Sequence, residues 1–148
     1  MSGFDGLVEA ESILARLRTL AGGRIYDGGP PDYEDLEKDG SGKVRPYAVL
    51  LFGEPIPDKS ETTLGPISEQ PFVLPVTIQW VAGDATDMRR LAAAGSNLLL
   101  DWHPSPAAGA MEPMNGGEFT VRDTQDRPTR YTRLSHWPVG INYTRIAA

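Results

Sequence analysis

FVLPVTIQWVAGDATDMRRLAAAGSNLLLDWHP, residues 72–104, sets two periodicities end to end. Phe72, Leu74, Val76, Ile78 and Trp80 recur at every second position, with Thr77 and Gln79 between them. That is the alternation of a strand that buries one face. From Asp84 the spacing becomes helical: Met88, Leu91, Gly95, Leu98 and Trp102 fall on one side, and Pro104 ends the run. Asp84 stands where a cap belongs, with Asp87 three residues on. Pro75 has no N–H for a ladder and marks an edge or a bulge. A half-buried strand leading into an amphipathic helix predicts a sheet with helices packed on it.

The flanks extend that reading. Leu7, Ala10, Leu14 and Leu17, widened by Ile13 and Leu20, predict an N-terminal helix of about four turns. Ser2 or Asp5 caps it, and Gly22 and Gly23 stop it. Residues 24–28 read as a short strand. Residues 45–53, RPYAVLLFG, carry a nearly continuous apolar run, as in a strand buried on both faces. Residues 54–71 are too rich in Pro, Ser and Thr for a helix and form a long connection or a hairpin arm. Residues 118–123 and 129–146 predict a hairpin whose last strand carries Trp137, Val139, Ile141 and Tyr143 on one face and bends at Pro138. The order contains no strand–helix–strand alternation. The expected fold is α+β: one domain, residues 1–148, with a mainly antiparallel sheet, two helices on one face, and long loops or a hairpin arm.

Composition bounds the function. There is no cysteine, which excludes disulfides, thiolate metal sites and cysteine nucleophiles. The net charge of −6 argues against nucleic-acid binding by bulk attraction, which needs a basic face. No apolar run is long enough for a membrane helix, and MSGFDGLVEAES shows no signal-peptide pattern. The cytoplasm is the expected place of synthesis.

Residues 35–46, DLEKDGSGKVRP, begin like a calcium-binding loop, with Asp35, Glu37 and Asp39 at alternate positions followed by Gly40. The closing position, which needs a bidentate carboxylate, is Pro46. GSGK lacks both the upstream glycine and the downstream Ser or Thr of a phosphate loop. Residues 30–42 therefore read as a mobile acidic loop. His103 and His136 have no companion ligands at metal spacing, and no Gly-x-Ser-x-Gly elbow is present. No catalytic, cofactor-binding or metal-binding residue is assigned, and the chain reads as a non-enzyme.

One cluster stands apart: Arg122, Arg127, Arg130 and Arg133, with Tyr131 among them and Asp123 and Asp126 interleaved. It fits a solvated hairpin with cross-strand charge pairs. It also has the Arg/Tyr composition favoured at protein interfaces. Direct DNA contact is a third option, weakened by the aspartates.

In order and character, residues 4–20 (FDGLVEAESILARLRTL), residues 44–53 (VRPYAVLLFG) and residues 75–106 (PVTIQWVAGDATDMRRLAAAGSNLLLDWHPSP), followed by RPTRYTR (residues 127–133) and an aromatic final strand, resemble the tail terminator proteins of long-tailed (siphovirus-type) bacteriophages, in the version found in phages of actinobacteria. The resemblance spans residues 4–143. It implies an α+β structural protein of the virion, without enzymatic activity or cofactor. Such a protein forms a homo-hexameric ring on the last ring of the tail-tube protein and stops tube growth. It sits at the head-proximal end of the tail, presents the joint to the head–tail connector protein, and lets DNA pass its lumen without specific binding. The acidic balance suits such a lumen, because like charge repels phosphate. Residues 30–42 and 54–71 are where ring and tube contacts are expected, ordered only on assembly. The rival readings are a head-closure or tail-completion neck protein of the same phage, and a small-molecule-binding module or enzyme.

Overall fold

A computed structural model of the chain describes residues 5–57, 67–114, 121–123 and 129–146. It is α+β, as the patterning predicts. Helix α1 spans Leu7–Leu17 and α2 spans Ala85–Leu99. A five-stranded sheet runs in the order β1 (Ile25–Asp27), β2 (Tyr47–Phe52), β5 (Val76–Ala82), β7 (Arg130–His136), β6 (Val121–Asp123). A three-stranded sheet holds β3 (Ile56–Pro57), β4 (Ile67–Leu74) and β8 (Val139–Ile146). β3 and β4 are antiparallel, so residues 54–71 do contribute to a hairpin arm.

The two sheets share one bent ribbon. β5 pairs with β7, Thr77 opposite His136, and β4 pairs with β8, Leu74 opposite Val139. Both ladders keep the same register, which sets Pro75 opposite Pro138 at the gap between them. The Trp137 N–H donates to the Val76 carbonyl at 2.8 Å. Pair 76/137 is thus a hydrogen-bonded one, and 75/138 is the adjacent non-hydrogen-bonded one, where neither residue directs its N–H at the other strand. The ribbon can therefore hold two prolines without losing a rung between its strands. At this point the chain passes from one sheet to the other.

Both helices pack on one face of the large sheet, called the front. Ala48, Leu50, Val76, Ile78, Trp80 and Ala82 meet Ile13, Leu14 and Leu17 of α1 and Met88, Leu91, Ala92 and Leu99 of α2. Trp80 is fully buried, and its Nε1–H donates to the Ser135 hydroxyl at 3.0 Å. Asp84 caps α2 by accepting from the Asp87 N–H at 2.7 Å. The Arg16 Nε–H donates to the Leu98 carbonyl at 2.6 Å, and its guanidinium lies 4.7 Å from the Trp102 ring centroid, joining α1 to the end of α2.

Both helices are shorter than their periodicity suggests. α1 gives way to a turn after Leu17, and Gly22 and Gly23 take positive φ beyond it. The Asp5 carboxylate accepts the Leu7 N–H at 2.9 Å, but Leu7 itself is exposed, at the margin of a stripe centred on Ile13, Leu14 and Leu17. α2 stops at Leu99. Asp101 has φ 60°, and Leu100 bridges Met111, so Trp102 lies past the helix.

β1 is parallel to β2, a pairing that no local pattern predicts. Parallel neighbours need a long crossover, usually a helix. Here residues 28–46 make the crossover over the back of the sheet. Leu36 and Val44 bury against Tyr47, Val49 and Val81 in a second small core. Leu36 and Val44 anchor the crossover on the sheet, while Asp32, Glu34, Asp35 and Glu37 of the acidic stretch stay exposed, as expected of a solvated loop.

Candidate interaction surface

The Arg/Tyr cluster lies at one edge of the large sheet, on β7 and the edge strand β6. Strand alternation divides it. Arg130 and Thr132 point to the back with Tyr47 and Val81, while Tyr131 and Arg133 point to the front with Ala82 and Trp80. The Arg130 Nη1–H donates to the Tyr47 hydroxyl at 3.1 Å. Tyr131 packs partly buried against the main core. Arg122 lies in β6 opposite Tyr131, and Arg127 lies outside the described residues. Arg130, Tyr131 and Arg133 share an edge of the sheet but not one face.

Among the described residues, only half of the back face is covered. The crossover seals Tyr26, Tyr47, Val49 and Val81. Beyond it, Leu51, Thr77, Gln79, Thr132, Leu134 and His136 continue the same face. Leu51 and Leu134 are each 42% exposed, and Met114, next to His136, is 58% exposed. The Met114 N–H donates to the His136 carbonyl at 2.8 Å. This patch was missed at the level of sequence. Its signal was the period-two spacing of Thr132, Leu134 and His136, overshadowed by the nearby Arg130 and Arg133.

The remaining polar groups serve structure. Asp39 Oδ1 accepts from the Ser41 N–H (2.9 Å), the Ser41 hydroxyl (2.8 Å) and the Lys43 N–H (3.0 Å). These bonds, the Ser41 hydroxyl first, hold its carboxyl below the usual range. Glu37 pairs with Arg24 at 3.2 Å. Glu37 and Asp39 are therefore engaged separately, and among the described residues no three His, Asp or Glu side chains converge on a metal position. Lys43 pairs with Asp84 at 3.0 Å, tying the crossover to the start of α2. The Asp87 N–H, followed by Lys43, pulls the Asp84 carboxyl down, and the bond to Asp84 raises Lys43. Burial raises the Tyr26 hydroxyl.

His103 Nδ1 lies 2.9 Å from the Ala108 carbonyl, and His136 Nδ1 lies 3.0 Å from the Thr77 hydroxyl. Neither contact is with a carboxylate. A shallow cleft of about 280 Å³ opens between Leu20, Ala21 and Pro46 on one side and Asp87, Arg90 and Leu91 on the other. Its walls are mainly aliphatic and bring no nucleophile to a base. No helix among the described residues is long and apolar enough to cross a membrane. The chain matches no protein-family model and no curated protein sequence.

Proposed function

We propose that this chain is a structural protein of phage tail assembly, a terminator that caps the tail tube as a ring and forms the joint to the head connector. The observation that carries the reading is the back face of the large sheet, where Leu51 of β2 and Leu134 of β7 stand exposed on either side of Thr77 and Gln79. Apolar side chains ringed by Thr, Gln and Arg make a surface that is completed by another protein. The α+β fold and the sequence resemblance over residues 4–143 support the same reading. The partners are further copies of the chain, the tail-tube protein and the head–tail connector protein. The place is the head-proximal end of the tail.

Native mass tests it, measured on the chain alone and with the tail-tube protein. Six copies of a 16.1 kDa chain come to about 97 kDa. A species of that size, or a tube end capped by six copies, is the expected result. A strict monomer that ignores tubes overturns the reading. Phage lacking the protein should carry over-long tails; heads that leak DNA would instead assign it to head closure.

A further inference from the structure

After α2 the chain turns back on itself. Leu100 has φ −59° and ψ 128°, Asp101 has φ 60°, and the Trp102 N–H donates to the Leu99 carbonyl at 3.1 Å, which makes a type II turn. The loop that follows is closed at its base. The Asp101 N–H donates to the Met111 carbonyl at 3.0 Å and the Met111 N–H to the Trp102 carbonyl at 2.9 Å, with Met111 fully buried. The tip of the loop lies along the outer edge of β8. The Asn142 N–H donates to the Ala107 carbonyl at 2.9 Å, and the Gly109 N–H donates to the Gly140 carbonyl at 2.8 Å. Ala108 and Ile141 face each other between those bonds. Among the described residues, nothing else pairs with that edge. The tip is lightly held. Pro106, Ala107, Gly109 and Ala110 are exposed. Ala108 is buried, and the ring of the exposed His103 holds its carbonyl, with Nδ1 at 2.9 Å. The Ser105 hydroxyl is buried without a hydrogen-bond partner among the described residues.

We infer that residues 103–110 are a removable guard on β8: closed, they shut its edge to other strands, and open, they let β8 pair with the β8 of a second copy. An uncovered strand edge is a template for another chain, and a loop laid across it is one way of blocking that. Two features set the guard to yield. Opening gives the orphaned Ser105 hydroxyl the water it lacks when buried. The bonds at 101, 102 and 111 stay closed, so opening frees only the tip. The occupant follows from the hydrogen-bond pattern. The guard engages one donor, the Asn142 N–H, and one acceptor, the Gly140 carbonyl, on either side of Ile141. Two such edges set antiparallel about a two-fold axis, Ile141 against Ile141, satisfy each other, because each copy's Asn142 N–H meets the other copy's Gly140 carbonyl. The contact is isologous and separate from tube capping.

Amide exchange and sedimentation velocity of the full-length chain test the guard, with circular dichroism as the check on folding. The Gly109 and Asn142 amides are expected to exchange at least about 100-fold faster than those of β5, which has a strand on both sides. Low urea should hardly change their rate, as for an opening that exposes little surface. Ser105→Ala removes the orphaned hydroxyl and should slow both amides by about tenfold. His103→Ala removes the exposed ring that holds Ala108 and should speed both by up to about tenfold. At equal concentration, His103→Ala should also sediment as a larger species than the wild type. Asn142→Pro takes away the outward N–H of β8, and adding it to His103→Ala should abolish that species. Gly109 and Asn142 amides that exchange only in step with β5 overturn the guard. So does a His103→Ala chain that opens faster yet forms no larger species, or a larger species that survives Asn142→Pro. The ring reading stands or falls separately, on tube capping.

Discussion

Gly95 faces the Trp80 ring, and Gly95→Ala measures how tightly α2 is seated on the sheet. A Cβ built at Gly95 falls closest to Trp80 Cη2, and it lies 2.5 Å from Cζ3 and 3.1 Å from Cζ2. Carbon atoms rest at about 3.5–4.0 Å, so the ring or the helix must move by about an ångström. The ring has little room: Trp80 is fully buried and bonded to Ser135. In an exposed helix position, alanine is better than glycine by about 1 kcal/mol. Overpacking a filled core costs about 1–3 kcal/mol, and straining the indole bond costs about 1 kcal/mol more. The net expectation is destabilisation by about 1–3 kcal/mol, and for a chain of this length each kcal/mol lowers Tm by about 2–4 °C. The assay is urea unfolding followed by circular dichroism. Ala93→Gly, exposed in the same helix, serves as the control and should lose about 1 kcal/mol by propensity alone. Trp80→Phe removes the ring atoms in the way, so Gly95→Ala in that background should become neutral or favourable. The coupling between the two sites should exceed about 1 kcal/mol. A Gly95→Ala protein at least as stable as the wild type, with no coupling to Trp80, refutes this packing.

Asp84→Ala removes the acceptor of the Asp87 N–H and should lower stability by about 1 kcal/mol, read from the urea midpoint. The Asp84 carboxyl is depressed in the folded chain, so its ionised form contributes stability above the unfolded carboxyl value, about pH 4, and that contribution is lost as pH falls through the lower folded value. The stability gap between wild type and Asp84→Asn should therefore narrow on acidification; midpoints at pH 7 and pH 3 check it, and a gap that widens counts against it. Ser135→Ala leaves the buried Trp80 Nε1–H without its acceptor and should cost about 1–3 kcal/mol, with a red shift of tryptophan emission if the ring loosens.

The junction of β5 and α2 was legible in the sequence because every local signal there agreed: alternation through Trp80, a cap at Asp84, and helical spacing from Met88. The end of α2 was not. The apolar run Leu98, Leu99, Leu100 mimics a continuing helix, and only the distant Met111 shows that Leu100 has left it. The crossover was misread for a related reason. Two apolar residues, Leu36 and Val44, make no period in so polar a stretch, yet they are enough to seat it on the sheet. The parallel pairing of β1 with β2 follows from that seating and from nothing local. At the candidate surface, the composition of the arginine cluster was visible, but its division between two faces depends on which rows of β5 and β2 lie alongside. The exposure of Leu51 and Leu134 depends on where the crossover stops, which is a property of tertiary structure.

The facing prolines at 75 and 138 act as a parity check on the ribbon. If β7 and β8 slid by one residue, or by any odd number, along β5 and β4, one of the two prolines would have to occupy a hydrogen-bonded pair, where it has no N–H to give. The same slip would turn Trp137, Val139 and Ile141, each at most 1% exposed, away from the core. Two unrelated penalties thus reject the same family of errors during folding. Such double rejection matters most in a ribbon like this one, whose strands are far apart in sequence and must find their alignment with no tight turn to set it.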